Sequence, residues 1–257
     1  MNATTLTATI EGIGLWAPQA PSWADYRALV AGEPAATATR PAPALLPPNE
    51  RRRAPDTVLV ALEAAQAACI DAGREPASLP SVFVSTYGDL AITEHLCQTL
   101  ASAPRELSPT RFHNSVHNAA AGYWTIASGA MEPATALSAG RAGFAMGLLE
   151  AVAQLQAGAP AALVVGYDGA SPGLLRELAF SEGLLGVALV LAPAAAGGRT
   201  LALSLEDGEA PAAPERVAPG NAMAPALALF EAMARSEGSA FLPAGEGRRL
   251  RLDLGHG

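Results

Sequence analysis

The sequence predicts an α/β fold built in layers, and three observations carry that expectation. Short apolar strands alternate with segments of helical period along most of the chain. The run "PAALVVGYD" (160–168) is apolar without alternation, as a strand covered on both faces should be. The helical stretch "GFAMGLLEAVAQLQAG" is apolar almost all round, with Phe144, Leu148, Leu149, Val152 and Leu155, which places it between layers and not on a surface.

The elements follow in order. Residues 5–15 alternate apolar and polar positions as a strand and run into the Pro-rich turn "APQAPSW". "SWADYRALVAG" is a helix with Ser22 as N-cap and Gly32 as stop. Residues 33–50 are Pro/Ala-rich and irregular, and end in Arg51, Arg52 and Arg53, a solvated entrance to the next helix. That helix, "DTVLVALEAAQAACIDAG", is capped by Asp56 and stopped by Gly73. "SVFVSTYGD" is a buried strand followed by a helix over 89–102. "PRELSPTRFHNSVHNAAAG" reads as a polar loop carrying aromatic residues, with Asn118 capping a helix over 119–128. "TALSAGRAGFAMGLLEAVAQLQAG" is strand, tight turn and helix. "GLLGVALVLAP" and "RTLALSLEDG" are strands expected to pair across "PAAAGGR". "NAMAPALALFEAMARSEG" is helical with a break near Pro225, and "RRLRLDLG" is a last strand.

Composition bounds the function. The 257 residues are 50% hydrophobic and 16% charged, with a mean hydropathy of +0.23, enough for one sizeable core and short of two full domains. A net charge of −8 argues against nucleic acid as a partner. All sixteen basic residues are arginine, which excludes Schiff-base and P-loop lysines. Cys69 and Cys97 lie in separate helical patterns without metal or redox spacing, as in reduced cysteines of a cytoplasmic protein. The N-terminus has no basic leader pattern, and "GLLGVALVLAPAAAG" is too short and broken to span a bilayer. No motif calls for a cofactor.

The strand–turn–helix at 135–158 has the shape that presents a nucleophile, because a side chain at a helix N-terminus faces unpaired N–H groups. Here that corner falls on Arg141, where a cation is unfavourable by about 0.3–1 kcal/mol.

The segment "AGRAGFAMGLLEAVAQLQAGAPAALVVGYD" resembles the nucleophile elbow of thiolase-fold ketoacyl synthases. "FVSTYGDL", "LSPTRFHNSVHNAAAGYW" and the Arg-rich start of the 56–72 helix resemble the same enzymes, in the same order. "SVHNAAAGYW" is similar to a short synthase-like family of aryl polyene and xanthomonadin-type pigment clusters whose members are chain-length factors. The resemblance covers residues 5–192. It implies a thiolase-like fold with the N-terminal half of a synthase over 1–192 and an abbreviated strand–helix–strand segment over 193–257 packed on the same core. It places Arg141 where the family has its acyl-accepting cysteine, and an arginine, always protonated, accepts no acyl group. The only histidine beyond residue 192 is His256, so the histidines of the second catalytic half are missing. The resemblance therefore implies a non-catalytic partner of an active ketosynthase, meeting acyl-carrier protein through the complex. In such heterodimers the elbow strand and preceding helix lie near the dimer axis. Carried onto this chain, Phe112, Asn114, Val116, His117, Tyr123 and Trp124 become interface and tunnel wall.

Other readings stay open on the residues alone. Ser138 with His113 or His117 as base would make a hydrolase or acyltransferase, although residues 136–140 read A-L-S-A-G and not Gly-x-Ser-x-Gly. His113 and His117, four apart, have the spacing of metal ligands on a helix, but with no carboxylate or cysteine near them in sequence, loop hydrogen bonds or pocket lining are favoured and no metal is expected. Arg141 pairs with a carboxylate, Asp89 or Asp168 being the candidates, or binds an anion such as a malonyl or phosphate group, or points into an interface; the first is favoured. Arg51–Arg53 offers docking for an acidic carrier protein as its second reading. A carrier-protein or coenzyme A binding module and a self-associating homodimer complete the alternatives.

Overall fold

The first strand of the chain lies inside the sheet and not at its edge. In the computed structural model, which describes residues 5–255, β1 (Leu6–Trp16) pairs antiparallel on one side with β5 (Leu185–Pro193) and on the other with β6 (Arg199–Asp207). A bulge between Ile10 and Gly12 lets Glu11 turn out to meet Arg74 at 2.8 Å. The two strands expected to form a hairpin across 193–199 are therefore not neighbours, because β1 separates them.

One eight-stranded sheet results, in the order β3-β2-β4-β5-β1-β6-β8-β7. β2 (Ser81–Val84) lies parallel between β3 (Ala134–Leu137) and β4 (Ala162–Asp168), and all further pairings are antiparallel. β7 (Ser239–Pro243) and β8 (Arg248–Gly255) extend the sheet beyond β6. β7 escapes the sequence reading because only Ala240 and Leu242 of its five residues turn inward.

Nine helices clothe the sheet among the described residues: α1 (Trp23–Val30), α2 (Pro48–Arg53), α3 (Asp56–Ala72), α4 (Leu90–Ser102), α5 (Pro109–Asn114), α6 (Ala119–Ser128), α7 (Gly143–Gln156), α8 (Leu175–Leu178) and α9 (Leu227–Arg235). Phe83, Leu163, Val165 and Val190 face α3 and α6, while Val82, Val84, Val164 and Leu189 face α7, α9 and α1. β2 and β4 are buried at every residue, which accounts for the apolar runs Val82–Val84 and Ala162–Val165 within them.

Ser22 caps α1 by accepting from the Asp25 N–H, and Gly73 ends α3 in the left-handed conformation (φ 63°). Four local expectations are corrected. Arg51–Arg53 form the last turn of α2 and not the entrance to α3, so their charge meets a helix C-terminus, where it is favourable. Asp56 is the first residue of α3 and not its cap; it pairs with Arg40 at 2.8 Å instead. Part of the 104–118 loop folds as α5, started by Ser108 and Pro109. Asn118 stands at the N-cap of α6 but makes no capping hydrogen bond.

α3 packs on β1 at backbone contact. A Cβ added to Gly14 would sit 2.0 Å from the Ala64 carbonyl oxygen, and one on Gly12 would sit 2.1 Å from that of Ala68. Both obstacles are backbone and cannot swing aside. Gly14→Ala is expected to cost about 3 kcal/mol, the top of the usual overpacking range; a urea midpoint unchanged from wild type would refute the close approach.

Candidate functional site

The parallel strands β3, β2 and β4 set the geometry of the site. The chain leaves β2 toward the α6 face and leaves β3 toward the α7 face, so the carboxyl ends of these two strands part and leave a crevice between them. The elbow turn Gly140–Ala142 opens α7 at that crevice, with Gly140 in the left-handed region (φ 53°). A cleft of about 630 Å³ lies above it, bounded by Thr86, Tyr87, Gly140, Arg141 and Phe180 and roofed by residues of the 212–225 segment.

Arg141 is exposed on this cleft, and no carboxylate lies within ion-pair distance of it among the described residues. The favoured pairing with Asp89 or Asp168 is therefore corrected. An exposed guanidinium is solvated and needs no counter-charge, and both carboxylates are engaged elsewhere. Asp89 caps α4, accepting from the Ile92 N–H at 2.8 Å and from the Thr57 hydroxyl at 2.7 Å. Asp168, 1% exposed, accepts from the Ser85 hydroxyl at 2.7 Å, the Thr86 N–H at 3.0 Å and the Tyr87 N–H at 3.4 Å. Burial pushes its carboxyl above the ordinary carboxylate range, and these hydrogen bonds oppose the shift without cancelling it.

The residues offered as nucleophile and base converge on the same turn without touching each other in a catalytic sense. The Ser138 hydroxyl donates to the Thr86 carbonyl at 3.0 Å. His117 Nε2 lies 2.9 Å from the Ser85 carbonyl, which can only accept, so that nitrogen carries the proton. Ser138, His117 and Asp168 thus clamp the backbone of residues 85–87 between them. His113 is exposed on α5, and no cluster of three metal-binding side chains occurs among the described residues. His256 lies outside the described residues.

The six expected wall residues divide. Phe112 and Val116 are 59% and 46% exposed. Asn114 is buried and accepts from the half-buried Tyr123 hydroxyl at 3.3 Å; it also faces a larger cleft of about 1160 Å³ between α3, α4 and α5. His117 is half-buried in the clamp. Trp124 is fully buried against Phe83, ring centroids 6.2 Å apart, and offers no surface to a partner. The sequence reading missed Tyr87, Phe180 and Asn221. Asn221 ties the roof to the sheet, its amide nitrogen donating to the carbonyls of Asp168 and Glu182. Its only sequence signal is a buried-type polar residue after a Pro-Gly turn.

A family profile described as β-ketoacyl synthase, N-terminal domain, matches residues 22–244. The chain belongs to that family. The match to this ketosynthase domain continues past residue 192 to take in β6, α9 and β7. Comparison with curated proteins finds no match. Among solved structures, the ketosynthase (ApeO) in complex with its chain length factor (ApeC) from Xenorhabdus doucetiae is similar at a TM-score of 0.77 and 24% identity, over 96% of this chain and 99% of that one. The ishigamide ketosynthase/chain length factor gives 0.74 and 18%, over 96% and 99%. The ketosynthase from module 1 of the bacillaene synthase of Bacillus amyloliquefaciens FZB42 gives 0.57 and 17%, over 81% of this chain and 47% of that one. At these identities the likeness is one of fold: the chain matches some ketosynthase-fold chains end to end and about half of a longer one. No helix of the described residues is long and apolar enough to cross a membrane.

Proposed function

We propose that this ketosynthase-family chain is a non-catalytic, chain-length-factor-like subunit of a cytoplasmic ketosynthase heterodimer, shaping the acyl tunnel during chain elongation of the polyene, polyketide or fatty-acid type. The observation that carries the reading is the elbow cleft. Arg141 stands at its elbow and no cysteine, serine or histidine lines it, so the cysteine-and-histidine chemistry of a condensing enzyme has no residues there. The active cysteine then belongs to the partner, and acyl-carrier protein is met through the complex. The free edge of β3 supports a partner beside it, because Ile126 on the adjoining helix and Met131 just before the strand are 82% and 95% exposed.

Phe112, Asn114, Val116, His117 and Tyr123 are the residues proposed to meet the partner and wall its tunnel; Trp124 is left to the core. Control of length is steric. Each two-carbon unit needs volume, and forcing it into a filled site costs about 1–3 kcal/mol. The test is co-expression with the ketosynthase encoded nearest to this chain, read by native mass spectrometry and product analysis. A one-to-one complex is expected, with Tyr123→Ala shifting the products toward longer chains. A homodimer that ignores the synthase would overturn the partner reading, and unchanged products across substitutions at all five positions would overturn the gating.

A further inference from the structure

Arg141 and its cleft have a use that the loss of a nucleophile does not explain. A guanidinium presents a rigid fork of N–H donors that matches a carboxylate in a bidentate pair. Arg141 lines a concave space, with no carboxylate in ion-pair distance among the described residues. Part of the lining is apolar, Phe180, Ala213 and Pro214, with Arg176 over the Phe180 ring at 5.1 Å. Such walls lower the local dielectric and strengthen an ion contact relative to open water. The cleft of about 630 Å³ is of the size that holds a small molecule. The tyrosine hydroxyl of Tyr87 is a further polar group at its border.

We infer that the elbow cleft binds a small organic carboxylate, its acid group on Arg141 and its short apolar remainder against Phe180 and the Ala-Pro roof. Glu215 also lines the cleft and offers the opposite charge. It is exposed and outside ion-pair distance of Arg141, so it lowers the affinity for an anion without filling the site. The pairing of a cation with an apolar wall selects the ligand: an inorganic anion uses only the first, and a neutral acyl group only the second. The inference rests on the reading of the elbow as non-catalytic, but it needs no partner subunit.

The test is a titration of the full ¹⁵N-labelled chain at constant ionic strength with butanoate, acetate and inorganic phosphate, followed at the Arg141 side-chain Nε–H. If the chain needs its ketosynthase to stay in solution, the complex is used with only this chain labelled. Butanoate is expected to bind at least 3-fold more tightly than acetate and phosphate. Arg141→Gln, at an exposed position, should weaken butanoate at least 10-fold, Arg141→Lys should recover part of that loss, and Glu215→Gln should tighten it about 3-fold. Butanoate binding unchanged in Arg141→Gln, or phosphate and acetate binding as well as butanoate, would overturn the inference. Complex formation is scored separately by mass, so a failed titration leaves the partner reading untouched, and a failed complex leaves the titration valid.

Discussion

Ala136→Pro is expected to weaken association with the proposed ketosynthase partner roughly 30-fold while leaving this chain folded. β3 has one neighbour, β2, and the ladder between them uses alternate residues: the Ser81 N–H donates to the Pro133 carbonyl and the Ser85 N–H to that of Leu137. In a parallel pair this leaves the N–H and C=O of Ala134 and Ala136 directed to the open side. Proline at 136 therefore removes a donor that β2 does not use, the one circumstance in which an edge strand tolerates it. Loss of a central interface contact of about 2 kcal/mol weakens binding roughly 30-fold. The check is co-purification together with a urea midpoint. Full retention of the complex by a folded Ala136→Pro protein would move the interface away from β3.

Asp168→Ala is expected to be the most damaging substitution at the site, at about 3–5 kcal/mol, the loss of one buried acceptor shared by three donors. It would leave the Thr86 and Tyr87 N–H groups and the Ser85 hydroxyl without their buried acceptor, each at about 1–3 kcal/mol. Asp168→Asn is expected to be milder, because all three donors reach Oδ1, which an amide oxygen can replace. The same carboxyl sets a pH dependence. Its folded-state value lies above the ordinary 3.8, so the folded protein holds this proton more firmly than the unfolded chain does. Its contribution to stability is full below the unfolded value, is lost as pH rises through the raised folded value, and is flat above. The difference in urea stability between wild type and Asp168→Asn, followed from pH 3 to 7, should carry that slope. A difference independent of pH would refute it.

The fold was legible where burial is symmetrical or periodic. β4 announces itself because both of its faces are covered, and α7 because it is apolar all round. Ser22 and Gly73 mark their helix ends by chemistry that needs no tertiary partner. The position of β1 was not legible, since a strand's neighbours depend on pairings with residues almost two hundred positions away. At the site the elbow could be read from small residues around Arg141, but its environment could not. Ser138, His117 and Asp168 are the residue types of a catalytic triad, and only coordinates distinguish a triad from three grips on one turn. Tyr87 and Phe180 carried no sequence signal, because their place in the cleft follows from the loops that hold them.

The interior position of β1 has a consequence during synthesis. This eleven-residue strand leaves the ribosome before both of its neighbours, and neither exists until residues 185–207 have been made. At ordinary elongation rates of about 5–20 residues per second, that is a wait of roughly ten to forty seconds. For all of it the nascent chain carries a strand with both edges unsatisfied and a row of apolar side chains, a template for pairing with any other exposed strand. Yield of this protein in a cell should accordingly follow translation speed and chaperone supply more closely than the stability of the finished fold.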